Sequence, residues 1–306
     1  MTSETILRTS GLGKRYKRRW AVHELDLEVF RGDVFGFLGP NGAGKSTTIR
    51  MLLSLIRPTT GDIHLFGHPL SRQRSAALRK VGGIVEKPDF YLYLSAYRNL
   101  EILGALHGGV SPSRIHEVLR LVGLNERIHD KVKSYSHGMK QRLGIAQALL
   151  SDPELVVLDE PTNGLDPQGM KEVRDLIHRL VGDFGKTVFL SSHLLSEIEM
   201  VANRMAILNK GELVVQGEVA SLLQQGEQYV ILKGRPGTKI RSILRALKLV
   251  DSFKEHDGQF DVVMSFKDIP VLASQLVRKG VSVGALIPKR SLEDFFLSIT
   301  EGNTIT

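Results

Sequence analysis

Between residues 22 and 29 the chain alternates: Val22, Leu25, Leu27 and Val29 are apolar, with His23, Glu24, Asp26 and Glu28 between them. That rhythm predicts a half-exposed strand. Arg31-Gly32-Asp33 reads as a turn, and Val34-Phe35-Gly36-Phe37-Leu38 as a short strand buried on both faces. A glycine-rich loop from Gly39 to Gly44 and a helix over 45–55 follow. A mostly helical pattern runs from 95 to 151, broken at Gly108-Gly109 and at Ser134-Tyr135-Ser136. Leu155–Leu158 and Thr187–Leu190 read as two more buried strands, with helices over 168–182 and 195–202 and a hairpin at Lys210-Gly211. Buried apolar strands alternating with helices predict an α/β fold built on a parallel sheet.

The pattern changes near Gln224-Gln225-Gly226. Beyond it the order is strand 228–233, helix 238–247, strands 249–255 and 258–265, helix 268–278 and strand 281–287, with Asp257-Gly258 as a hairpin signal. That succession fits a small α+β, ferredoxin-like unit. A last helix is expected over Ser291–Thr300. At 306 residues two domains are expected, and the pattern divides them as 1–225 and 226–306.

Composition narrows the chemistry. Hydrophobic residues at 42% and charged residues at 24% suit a folded globular chain, and aromatics at 6% leave the core to aliphatic side chains. The absence of cysteine excludes disulfides, cysteine-ligated zinc or iron–sulfur sites and a thiol nucleophile. The opening stretch MTSETILRTS lacks the charged-then-apolar layout of a secretory leader. No apolar run reaches the roughly 18 residues of a membrane span, so the chain is not expected to cross a membrane by itself. The net charge of +8 suits anionic partners: nucleotides, nucleic acid or acidic lipid. Lys14, Arg15, Lys17, Arg18 and Arg19 form one basic cluster, readable either as a solvated loop or as a contact for lipid headgroups or phosphates.

Gly39-Pro40-Asn41-Gly42-Ala43-Gly44-Lys45-Ser46 fits the phosphate-loop pattern G-x-x-x-x-G-K-[ST], between a strand and a helix as that motif requires. Glycines let consecutive backbone N–H groups turn inward, and the helix adds its positive end. Lys45 would reach the β- and γ-phosphates of ATP, Ser46 would ligate Mg²⁺ and Thr47 could donate to the α-phosphate. The apolar strand Leu155–Leu158 ends in Asp159-Glu160. Taken alone, that pair is more often a cap or a solvated strand end. Downstream of a phosphate loop, Asp159 would hold Mg²⁺ and Glu160 would act as general base on an attacking water.

These motifs stand in an order that resembles the ATP-binding-cassette (ABC) transporter family over residues 5–225. Tyr135-Ser136-His137-Gly138-Met139-Lys140-Gln141-Arg142-Leu143 is similar to the family signature, Glu160–Pro167 to its D-loop, and Ser191-Ser192-His193 to the strand end that keeps its switch histidine. Tyr16 stands where the family has an adenine-stacking aromatic. The resemblance implies a P-loop NTPase fold: a RecA-like core, an antiparallel β subdomain, and a helical subdomain over about 88–152. It also implies that ATP is gripped between Gly39–Thr47 of one copy and Ser136, His137 and Gly138 of another, with Asp166 of the D-loop region also among the nucleotide-binding residues. Ser136 is a natural N-cap for the helix that follows it, and that helix end is an anion site. His193 would contact the γ-phosphate and Tyr16 would stack on the base; a capping serine, a packed histidine and a packed tyrosine are the plainer readings. The sequence departs from the signature at His137 and Met139, and Glu86 replaces the glutamine usual after the strand Gly83-Ile84-Val85. Glu86 could still reach Mg²⁺ or water, though it repels the γ-phosphate more. The departures, and the tail Ser291–Leu297, resemble the subgroup of exporters for bacitracin, lantibiotics and other drugs.

Phe90, Tyr91, Tyr93 and Tyr97 crowd one segment after Glu86. They either pack inside the helical subdomain or meet a membrane partner, since aromatics are enriched in interface cores. The resemblance implies integral membrane permease subunits as partners, a second cassette in a homodimer, and a place on the cytoplasmic face of the membrane. A soluble ATPase of this family acting on nucleic acid or ribosomes is the alternative. Such proteins carry paired cassettes, coiled-coil insertions or metal-binding cysteines, none of which occurs here, so nucleic acid is not an expected partner.

Overall fold

A computed structural model describes residues 4–290 apart from Lys87, His107, Gly226, Glu227 and Asp257. The expected helix at Ser291–Thr300, the tail Ser291–Leu297 and the first residue of the Asp257-Gly258 turn lie outside the described residues. The chain divides into two compact units, Met1–Val219 and Ala220–Thr306.

In the first unit the strands are β1 (Thr5–Tyr16), β2 (Arg19–Phe30), β3 (Val34–Leu38), β4 (Thr60–Leu65), β5 (His68–Pro69), β6 (Val81–Ile84), β7 (Leu155–Leu158), β8 (Thr187–Ser192), β9 (Arg204–Asn209) and β10 (Glu212–Glu218). The helices are α1 (Lys45–Leu52), α2 (Arg74–Leu78), α3 (Ala96–Leu106), α4 (Pro112–Leu121), α5 (His137–Leu149), α6 (Pro167–Gly182) and α7 (Leu195–Val201). A further helix, α8 (Val219–Gln225), lies at the division.

Two sheets share one core. The first is antiparallel in the order β2-β1-β4-β5; the second runs β10-β9-β3-β8-β7-β6, parallel except for β10. Ile6, Leu25 and Leu27 of the first pack in the same cluster as Phe35, Phe37 and Phe189 of the second and Ile49 of α1. Phe35 and Phe189 pair in register on adjacent strands and stack with centroids 5.4 Å apart. Burying each ring contributes about 2–3 kcal/mol, and together they anchor the strands whose ends carry the site.

The alternation in β2 skips a step between Val22 and Leu25 because a bulge falls there. Lys14 pairs with Val22 and Leu12 with Leu25, and Glu24 takes a φ of 47° to absorb the extra residue. The basic cluster is not a loop: Lys14, Arg15 and Arg19 stand on β1 and β2, and only Lys17-Arg18 forms the turn. Trp20, the chain's one tryptophan, pairs with Arg15 across this hairpin; its ring centroid lies 5.4 Å from the guanidinium and 4.9 Å from the His23 ring. Helix α1 ends at Leu52, short of the expected 55, because Ser54 turns left-handed with φ 56°.

The second unit contains β11 (Gln228–Arg235), α9 (Gly237–Ala246), β12 (Ser252–His256), β13 (Gln259–Val263), α10 (Ile269–Arg278) and β14 (Ser282–Arg290). Its sheet is antiparallel in the order β12-β13-β11-β14. Ile240 and Leu244 of α9 and Leu272 and Leu276 of α10 pack with Val230, Leu232, Phe260 and Val262 of the sheet. The apolar positions at helical and alternating spacing are therefore those that meet in this core. No described helix is long and apolar enough to cross a membrane.

Candidate active site

The site lies at the ends of β3, β8 and β7, which stand side by side in that order. Beyond β3 the chain enters the phosphate loop. Gly44 has a φ of 111°, and a Cβ there would come within 2.4 Å of the Ala21 carbonyl oxygen; at Gly39 one would meet the Leu208 carbonyl oxygen at 2.4 Å. Both positions therefore require glycine. The loop is braced from behind, where the Gly211 N–H donates to the Ala43 carbonyl at 2.9 Å.

Lys45 is buried, with 6% of its surface exposed. Its ammonium donates to the Gly39 carbonyl at 2.6 Å and lies 3.2 Å from Glu160 Oε1. Ser46 and Thr47 occupy the first turn of α1, and Asn41 and Gly42 form the exposed tip of the loop between Pro40 and Ala43. Beyond β8, His193 places Nδ1 at 2.8 Å from Glu160 Oε2. Glu160 is thus bracketed by a cation and an imidazole, and its backbone is left-handed with φ 49°. A glutamate held in that region marks stored strain of the kind found at functional positions. Asp159 is buried, and its Oδ1 accepts a hydrogen bond from Ser191 Oγ at 2.6 Å.

The other expected residues stand as follows. Ser136 caps α5, accepting from the Met139 N–H at 3.2 Å, and that bond leaves the hydroxyl proton unused. His137 is exposed; its Nε2 lies 3.3 Å from the Asn163 carbonyl oxygen, so this departure from the signature reaches the loop after Glu160 in the same chain. Gly138 lies in the first turn of α5, where an added Cβ would come no nearer than 3.9 Å to Gly169 and Leu165. Asp166 caps α6 through the Gly169 N–H at 2.9 Å. Glu86, φ 65°, pairs with Arg50 of α1. Tyr16 is 47% exposed at the end of β1, with Lys14 Nζ 5.4 Å from its ring centre.

The aromatic segment divides. Phe90 is buried, Tyr97 packs against His116 with centroids 5.3 Å apart, and Tyr91 and Tyr93 project 52% and 66% exposed as an edge-to-face pair. Buried Asn99 fixes the segment, accepting from the Tyr91 N–H and donating to the Tyr91 and Ser95 carbonyls. Ser191 was not among the expected site residues, although it touches both carboxylate-bearing residues. So does Asn99 stand outside the expected set, because its role depends on a turn rather than a motif.

These groups suit magnesium triphosphate. The loop offers glycine backbone and the buried ammonium of Lys45, while Ser46 and Asp159 carry hard oxygen donors. Among the described residues no three or more His, Cys, Asp or Glu converge as a metal cage. A magnesium ion carried largely by phosphates and water needs none.

A family model described as ABC transporter matches residues 22–163. The bacitracin transport ATP-binding protein BcrA of Bacillus licheniformis is 41% identical, over 98% of this chain and 99% of its own. The lantibiotic transport ATP-binding protein SrtF of Streptococcus pyogenes is 41% identical over 70% of this chain and 91% of its own. A solved ATP-binding subunit of an ABC transporter shares 28% identity with a TM-score of 0.63, covering 72% of this chain and 92% of that one. A dimeric cassette, MJ0796, bound to ADP and Pi, shares the fold with a TM-score of 0.63 at 24% identity, over 70% and 99% of the two chains.

Proposed function

The chain belongs to the ABC transporter family of ATP-binding proteins, and from that premise we propose that it energises an exporter by closing with a second copy of itself around Mg-ATP. It is an ATPase, and the transport path lies in separate permease subunits. The observation that carries the reading is the row Lys45–Glu160–His193, with contacts of 3.2 and 2.8 Å across three adjacent strand ends.

Each side chain then has a task. Lys45 and the loop N–H groups hold the β- and γ-phosphates, and Tyr16 offers a face to the base. Ser46 and Asp159, and Glu86 if it leaves Arg50, would hold Mg²⁺, which would supply neutralisation of charge developing on the phosphates. Glu160 takes the proton of the attacking water, and His193 orients that carboxylate. Ser136, with its unused hydroxyl proton, and the N-terminus of α5 complete the grip on the partner's nucleotide. Tyr91 and Tyr93 form the face offered to the permease, on the cytoplasmic side of the membrane. The relatives named for bacitracin and lantibiotic transport point to an exporter of that kind, with cargo chosen by the permease.

The test pairs the wild-type chain with Glu160→Gln. Both should bind Mg-ATP, and only the variant should accumulate as an ATP-bound dimer on a sizing column. Unchanged phosphate release by the variant would remove the reading. Cofractionation with membranes should require co-expression of the permease subunits.

A further inference from the structure

We propose that Ser191 is a positioning residue that locks the metal-side carboxylate of Asp159 and the backbone of Glu160 to each other. The inference rests on the reading of the site given above.

Strand β8 separates the phosphate-loop strand β3 from β7, so the two halves of the site are not direct neighbours. Leu158 pairs with Leu190, which brings the next residues, Asp159 and Ser191, abreast. Ser191 is fully buried at 0% exposure. Its hydroxyl donates its one proton to Asp159 Oδ1 at 2.6 Å and accepts from the Glu160 N–H at 2.9 Å. The two partners make opposite demands, one needing a donor and the other an acceptor. A hydroxyl meets both at once; a methyl group meets neither.

Engaging Oδ1 leaves Oδ2 as the oxygen with which Asp159 can face a hydrated cation. The bond from the Glu160 N–H ties down a residue whose left-handed φ of 49° would otherwise be free to relax. One side chain thus sets both the metal-side oxygen and the backbone of the base. The next residue does something else: Ser192 Oγ accepts from the Leu194 N–H at 3.0 Å and serves the turn that leads out of the strand. Both partners of the Ser191 hydroxyl, Asp159 and Glu160, lie outside the phosphate loop, so nucleotide affinity without metal should not depend on it.

The decisive comparison is Ser191→Thr against Ser191→Val, which share a shape and differ in the hydroxyl. The readout is the thermal shift produced by ADP with Mg²⁺ and by ADP with EDTA, alongside kcat and KM for Mg-ATP. The Thr variant should keep the magnesium-dependent part of the shift. The Val variant should need about 10-fold more Mg²⁺ and lose about 10–100-fold in kcat, the usual scale for a lost partner of a metal ligand. Its shift with ADP and EDTA should match wild type. Ser191→Ala, which adds no volume, carries the same test if the larger side chains do not fold. Equal magnesium dependence in Thr and Val, or in Ala and wild type, overturns the role of Ser191. If the wild-type chain itself gains nothing from magnesium with ADP, the reading of the site fails instead.

Discussion

His193 Nδ1 lies 2.8 Å from Glu160 Oε2, joining the last turn of one strand end to the carboxylate at another. With Nδ1–H given to Glu160, the ring keeps Nε2 as its second hydrogen-bonding nitrogen. The register of β7 and β8 sets this arrangement, with Leu158 beside Leu190.

Glu160→Gln should lower the rate of ATP hydrolysis by about 100-fold or more, the scale of a lost general base. His193→Ala should also lower kcat with little change in KM, because its shown contact is with the Glu160 carboxylate and its proposed role is to orient that group. Steady-state phosphate release over a range of ATP concentrations separates the two parameters.

Gly44→Ala should abolish high-affinity nucleotide binding. The added methyl would press on the Ala21 carbonyl at a φ of 111° that L-residues rarely adopt. Equilibrium titration with ATP should show at least a 10-fold weaker Kd, with circular dichroism confirming that the rest of the chain folds.

Tyr91→Ala with Tyr93→Ala should spare basal hydrolysis and uncouple transport. The two rings are exposed and meet edge to face, while the segment's backbone is fixed separately by Asn99. Reconstituted vesicles carrying permease and ATPase should show turnover without export; normal export would remove the partner surface.

Stability should fall on acidification through the carboxylates around Arg31 and Lys80. Hydrogen bonds from Lys80 and then Arg31 hold the Glu154 carboxyl below its ordinary 4.5, and Arg31 does the same for Glu4. A hydrogen bond from Lys186 lowers Asp152 from its ordinary 3.8. A depressed folded-state value contributes stability above the unfolded value and loses it as pH falls through the folded one. The Tm should therefore be flat from about pH 8 to 5 and drop below about 4.5, less steeply in an Arg31→Met, Lys80→Met variant. Because these groups are partly exposed, the difference should be small.

The parallel strands and the strand-end motifs were legible because each is a local pattern: Val34–Leu38, Leu155–Leu158 and the glycine loop need no partner to be recognised. The same holds for the helix and strand spacings after residue 228. Much of the antiparallel sheet was not. In β1, Gly11 and Gly13 interrupt the alternation and the pairing with β2 shifts register three times between Thr9 and Arg15. In β4, Thr60-Gly61-Asp62 looks like a turn. From sequence Ser191 reads only as part of a strand end, because its two partners are chosen by the register between strands far apart in sequence. His137 read as a departure from the signature, and its contact with Asn163 exists only once α5 and the loop after Glu160 are folded together.

The lone indole has a practical consequence. Trp20 stands opposite Arg15, one rung from the pair formed by Tyr16 and Arg19. Its fluorescence therefore reports on this hairpin without interference from other tryptophans. If the base stacks on Tyr16 as proposed, adenine nucleotides should alter that emission, whereas inorganic pyrophosphate, filling the loop without a base, should leave it unchanged: a label-free way to tell base contact from phosphate contact.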